Sequence, residues 1–206
     1  MQLDEALTQI HEIQRHIART EVFRGYRSVP TAFSGCLALA AGGYQALWIT
    51  EPLAELAAYL TIWIGAALVA LIAVGAEMTV RLRYSTSCLA RQMTILAIAQ
   101  FTPCLVVGGL VTAIIAGTAA ESAWMLPGFY QLLFGLGVFA SYRLLPRAVF
   151  WVAVFYVASG VLCLLSARGQ WALSPWAMAV PFGAGQFLAA GILYWTLERD
   201  DHDTAS

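Results

Sequence analysis

Six stretches of this chain are apolar and long enough to cross a lipid bilayer, and they limit the possible folds more than any other feature. A crossing helix needs about 20 apolar residues. The runs are roughly 31–50, 56–78, 93–116, 124–142, 148–166 and 176–197. Backbone polar groups must pair internally in hydrocarbon, so such runs fold as helices. Composition agrees, with 60% hydrophobic and 11% charged residues, where a soluble domain carries about 25% charged. The expected fold is all-α: a polytopic bundle of six transmembrane helices. The connections leave no room for a domain between spans, and the lipid bilayer is the obligatory partner.

The arginines set the expected orientation, because short cytoplasmic loops collect basic residues. All eleven basic residues are arginine. Arg15, Arg19, Arg24 and Arg27 precede the first run, Arg81, Arg83 and Arg91 follow the second, Arg143 and Arg147 follow the fourth, and Arg199 follows the sixth. The alternate connections hold Arg168 alone, beside Glu51, Glu55 and Glu121. Both termini are therefore expected in the cytoplasm. Tryptophans 48, 124, 171 and 176 fit the opposite interface, and Tyr26, Tyr84, Tyr142 and Trp195 the cytoplasmic one. No short apolar core with a cleavage site precedes the first run, so it is expected to remain as a span. The division is residues 1–28 as a cytoplasmic helix, 29–199 as the six-span domain and 200–206 as a cytoplasmic tail.

Small residues indicate how the spans pack. Leucine gains nothing by leaving lipid for protein, whereas glycine and alanine let backbones approach. Gly35, Ala38, Gly42 and Ala46 make a stripe on the first span. Ala179–Gly183 and Gly185–Ala189 are small-xxx-small pairs on the sixth, and Gly65, Ala66–Ala70 and Gly108–Gly109 add further small sites. Tight packing is the expected use, and a pore lining the alternative.

The polar residues within the spans are the candidate site. Gln45, Gln100, Gln131 and Gln186 each sit in a different run. A single glutamine reads first as an interhelical clasp; four converging on a hydrated cavity is the sharper reading. Tyr44–Gln45 recurs as Tyr130–Gln131, and Gln100–Phe101 as Gln186–Phe187, both at 86 residues. That offset would lay spans one to three over four to six, a 3+3 inverted repeat of the kind transporters use. Glu77 lies four residues before Arg81, the favourable order for a boundary ion pair, with a proton-coupling carboxylate as the alternative.

Chemistry that needs other residues is disfavoured. The three histidines are His11, His16 and His202, outside every span, so a histidine-built metal or haem site is not expected. No H-E-x-x-H or G-x-S-x-G motif occurs. Without lysine there is no Schiff base, and Cys36, Cys88, Cys104 and Cys163 form no CxxC. The expectation is a non-enzyme with no cofactor. A net charge of −1 gives no ground for nucleic-acid binding.

Residues 3 to 23 read as an amphipathic helix. Leu3, Ala6, Ile10, Ile13 and Ile17 recur at steps of 3 and 4, which makes one apolar stripe. It could pack on the ends of the spans, pair with a partner or second copy through Leu3, Ile10, Ile13 and Ile17, or lie on lipid. Glu12 and Glu21 among its arginines speak against the last use. Arg24, Arg27, Arg81, Arg83, Arg143 and Arg147 gather at the same membrane face, as the positive-inside rule alone requires. An anion or lipid-headgroup contact is the alternative, since arginine grips phosphate with two donors.

The segments HIARTEVFRGYRSVPTAFSG and LSPWAMAVPFGAGQFLAAGILYWTLER resemble a family of bacterial integral membrane proteins of similar length with no assigned activity. The resemblance implies a multi-pass protein of the bacterial cytoplasmic (inner) membrane. Two functions are expected to compete. One is a non-enzymatic partner, regulatory or assembly protein acting through residues 1–24. The other is a small-solute transporter or channel with a glutamine-lined cavity.

Overall fold

A computed structural model describes residues 28–84, 88–142, 145–166 and 169–198. Among these the chain is helical, with no strand. Helix α1 is Ser28–Trp48, α2 Leu56–Tyr84, α3 Cys88–Thr118, α4 Leu126–Ser141, α5 Val149–Ser166 and α6 Pro175–Leu193. A 3₁₀ turn, Ala120–Met125, leads into α4, another, Gly169–Trp171, precedes α6, and one π turn, Tyr194–Glu198, ends α6. The expected amphipathic helix, with Leu3, Ile10, Ile13, Ile17, Arg24 and Arg27, lies outside the described residues. So do Arg143 and the tail 200–206.

Among the described residues, five segments are long and apolar enough to cross a membrane: Leu56–Val80, Ile95–Thr118, Ala120–Ser141, Val149–Ser166 and Pro175–Thr196. Helix α1 is 21 residues long and is not one of the five, because glycines, Ser34, Tyr44 and Gln45 dilute its apolar content. The polar and small residues mostly face inward. Thr31, Gly35, Ala38, Ala41, Gly42 and Gln45 are buried, while Val29, Phe33, Leu39, Leu47 and Trp48 are exposed. A helix of this kind is apolar towards its surroundings and polar towards its neighbours.

Helices α2 and α3 outrun their apolar stretches. α2 continues through Arg81 and Arg83, and α3 begins before Arg91, leaving residues 85–87 between them. Backbone hydrogen bonding carries a helix on wherever side chains permit, in water as in lipid. Hydropathy reports only the part that suits lipid.

The helix pairs whose glycine contacts define a direction, α1 with α6 and α4 with α5, run antiparallel. Gly35 lies against Gln186 and Gly42 against Ala179, which reverses α6 relative to α1. Gly128 lies against Gly160 and Gly135 against Ala153, which does the same for α4 and α5. The connections at 49–55, 119–125 and 169–174 thus share one end of the bundle, called the upper end below.

Glycine makes the close approaches. A Cβ on Gly42 would collide with the Ala179 side chain, and one on Gly185 with the Tyr156 ring. One on Gly128 would sit 2.6 Å from Leu164 Cγ, and one on Gly137 2.6 Å from the Phe101 ring. Gly65 and Gly109 have nothing within 4 Å, so among the described residues they make none of the packing expected of them. Ala46 is exposed, and the α1 stripe passes to Gln45 instead.

The core has two parts. At the upper end Tyr59, Trp63, Leu126, Leu173, Met178 and Ala179 pack together. Lower down, Phe134 meets Tyr156 at 4.7 Å, Phe101 at 5.3 Å and Phe182 at 5.6 Å between ring centroids. α2 and α3 stand at the edge. Only 11% of the apolar stretch of each is buried, against 44% of Ala120–Ser141. Over most of their length these two helices face outward.

Candidate functional site

The amide of Gln45 is buried and hydrogen-bonded at both ends. It sits one turn before the end of α1 and is 0% exposed. Its Nε2 donates to the Leu173 carbonyl at 2.8 Å. Its Oε1 accepts from Trp63 Nε1, also at 2.8 Å. One side chain therefore ties α1 to α2 and to the connection between α5 and α6. Trp63 reaches it because Tyr59 and Trp63, one turn apart, lie on the same buried face of α2.

Leu173 is itself unusual. Its φ is +54° and its side chain is 0% exposed. A branched residue rarely adopts that left-handed conformation, which costs about 1–2 kcal/mol. Such strain persists where surrounding contacts over-determine it. Here the side chain is packed in the upper core and the carbonyl is held by Gln45.

Gln131 makes a second clasp close by. It is 0% exposed, and its Nε2 donates to the Ala177 carbonyl at 2.8 Å. Leu173 and Ala177 flank the first turn of α6, so two glutamines from α1 and α4 grip one segment. The Gln131 Oε1 is buried without a hydrogen-bond partner. Cys163 stands beside Gln131. Tyr130 and Thr112 share a 2.6 Å hydroxyl contact between α4 and α3. The Tyr59 hydroxyl, in the same part of the bundle, is buried with no partner.

The four glutamines do not converge. Gln186 lies well below, half-buried on α6 beside Ser34 of α1. Ser34 Oγ is 2.8 Å from the Thr31 carbonyl and 3.3 Å from the Gln186 side-chain oxygen. A hydroxyl has one proton. With that proton on Thr31, Ser34 is better served by the NH₂ end of the Gln186 amide. Gln100 is half-buried on α3, and its Oε1 has no partner.

This placement also bears on the 86-residue offset. A two-fold axis in the membrane plane would put matched residues at opposite ends. Gln45 and Gln131 instead meet at the same end, and Gln100 and Gln186 both lie towards the other. The glutamines thus do not trace an inverted repeat.

Glu77 is half-buried near the lower end of α2 and makes an interaction of its own. Arg83 and Arg147 are exposed, and the Arg81 side chain lies outside the described residues. Sequence reasoning singled out Gln45 and Gln131 but missed Trp63, Tyr59 and Leu173. The 59–63 spacing was visible as a one-turn aromatic pair. Nothing local marks Leu173, which is 128 residues from Gln45.

The chemistry available is hydrogen bonding between neutral groups. Among the described residues, no three His, Cys, Asp or Glu side chains gather as metal ligands. Compared with protein-family models, curated proteins and solved structures, the chain matches none.

Proposed function

We propose that the chain is a six-span protein of the bacterial cytoplasmic membrane with both termini on the arginine-rich side. It works there as a non-enzymatic partner, regulatory or assembly protein, with residues 1–24 as its protein contact. The observation that supports this reading is the use of the two deepest amides. Gln45 and Gln131 turn their NH₂ groups onto the Leu173 and Ala177 carbonyls, which favours a bundle held in one shape over a passage. Crossing α1 as a sixth span is consistent with its 21-residue length and apolar outer face. The test is capture of the full chain from native membranes, with and without residues 1–24. A specific partner lost on truncation is expected; the same partner retained by the truncated chain would overturn the contact.

A second reading, passage of a small neutral solute, draws on a different observation. The Oε1 atoms of Gln100 and Gln131 and the Oγ of Ser141 are buried without partners. Polar groups inside a membrane face the bundle interior or a water-filled cavity, and unpartnered acceptors there are available to a passing solute. Flux of a neutral solute into proteoliposomes, absent from empty vesicles, distinguishes this reading from the first.

A further inference from the structure

We infer that Trp63, Gln45 and Leu173 form a mechanical relay through which the position of α2 sets the conformation of the α5–α6 connection. The relay stands apart from the partner role proposed above, since it needs no ligand.

Helix α2 is buried at its upper end by Tyr59 and Trp63, at 0% and 5% exposure. Beyond them it faces outward over most of its length, so α2 is open to contact from outside the bundle. The indole of Trp63 donates to Gln45 Oε1. The other end of that same planar amide holds the Leu173 carbonyl. The two ends of an amide cannot move independently. When α2 shifts, Gln45 either follows Trp63 and releases Leu173, or stays and leaves an indole N–H and an amide oxygen unpaired. Both are 95% or more buried, where unpaired polar groups are costly. A shift of α2 therefore breaks one of the two bonds, and releasing Leu173 is the outcome that also relieves backbone strain.

The receiving end is poised to respond. Leu173, at φ +54°, loses one of the two contacts that hold it there once its carbonyl is free, and a strained residue keeps its conformation only while its contacts impose it. The neighbouring amides of Ala172 and Ser174 bond to the carbonyls of Gly169 and Trp171 at 3.0 and 3.2 Å, and they loosen with it. Gln131 holds the Ala177 carbonyl independently, so the motion stops at the first turn of α6.

Hydrogen exchange of the full chain in detergent micelles tests the relay. Trp63→Phe keeps an aromatic ring in place and removes only the donor. It should speed exchange at residues 171–174 by about five- to tenfold, the effect of one ordinary hydrogen bond, and leave α6 beyond Ala177 at the parental rate. Tyr59→Phe, which removes a hydroxyl with no partner, should leave residues 171–174 unchanged. In a Gln45→Leu background, or Gln45→Met where the leucine variant does not fold, Trp63→Phe should add nothing. Parental exchange at 171–174 in Trp63→Phe would overturn the relay. So would an equal effect from Tyr59→Phe, or an undiminished Trp63→Phe effect without Gln45.

Discussion

The Tyr59 hydroxyl is buried and has no hydrogen-bond partner, so removing it takes nothing favourable away. A buried polar group without a partner carries a desolvation cost of about 1–3 kcal/mol. Tyr59→Phe should therefore be neutral or stabilising in thermal unfolding in detergent; a clear loss of stability would show that the hydroxyl is paired. The glutamines should rank in the order of their connections. Gln45→Leu strands both the Trp63 indole and the Leu173 carbonyl, at about 1–3 kcal/mol for each orphaned group. Gln186→Leu loses one partly buried contact, worth well under 2 kcal/mol between membrane helices. If Gln186→Leu proves the more damaging of the two, the clasp is misplaced. The sequence made the glutamines conspicuous because each is a polar residue in an apolar run. It could not show what each would touch, since Trp63 and Leu173 lie 18 and 128 residues from Gln45 and no periodicity links them.

Among the helices, glycine separates contacts that matter from those that do not. A Cβ on Gly185 collides with the buried Tyr156 ring, and both residues belong to packed helices. Gly185→Leu should cost about 1–3 kcal/mol or more through overpacking. Gly65 faces open space, so Gly65→Ala should be neutral or stabilise by about 0.5–1 kcal/mol, the helix preference of alanine over glycine. Thermal unfolding of the two variants beside the parent checks both, and equal stability for Gly185→Leu would contradict the packing of α5 on α6. The stripes on α1 and α6 were legible because small residues at helical spacing have one common use in lipid. Gly65 and Gly109 carry the same local signature and have no neighbour. Whether a small residue faces protein depends on where its whole helix stands, and α2 and α3 stand at the edge. Helix ends were legible to within a few residues where polar turns interrupt the apolar run, as at Ser141 and Ser166. They were not where α2 and α3 extend past the lipid-like stretch on backbone bonding alone.

For the molecule as a whole, the central claim is a membrane bundle in which α1 crosses as a sixth span despite its diluted apolar content. Its inward polarity, gathered on Gln45 and Thr31, lowers its average hydropathy while its outer face stays apolar. Five crossings and six make opposite statements about residues on either side of α1 and of the α2–α3 pair. If α1 crosses, residue 8 and residue 121 lie on opposite sides of the membrane; if it does not, they share a side. The direct measurement is labelling of Thr8→Cys and Glu121→Cys, each in a background without the four natural cysteines, using a membrane-impermeant thiol reagent on intact cells and on inverted vesicles. Residue 121 should label in cells and residue 8 only in inverted vesicles. Labelling of both from the same side would contradict it.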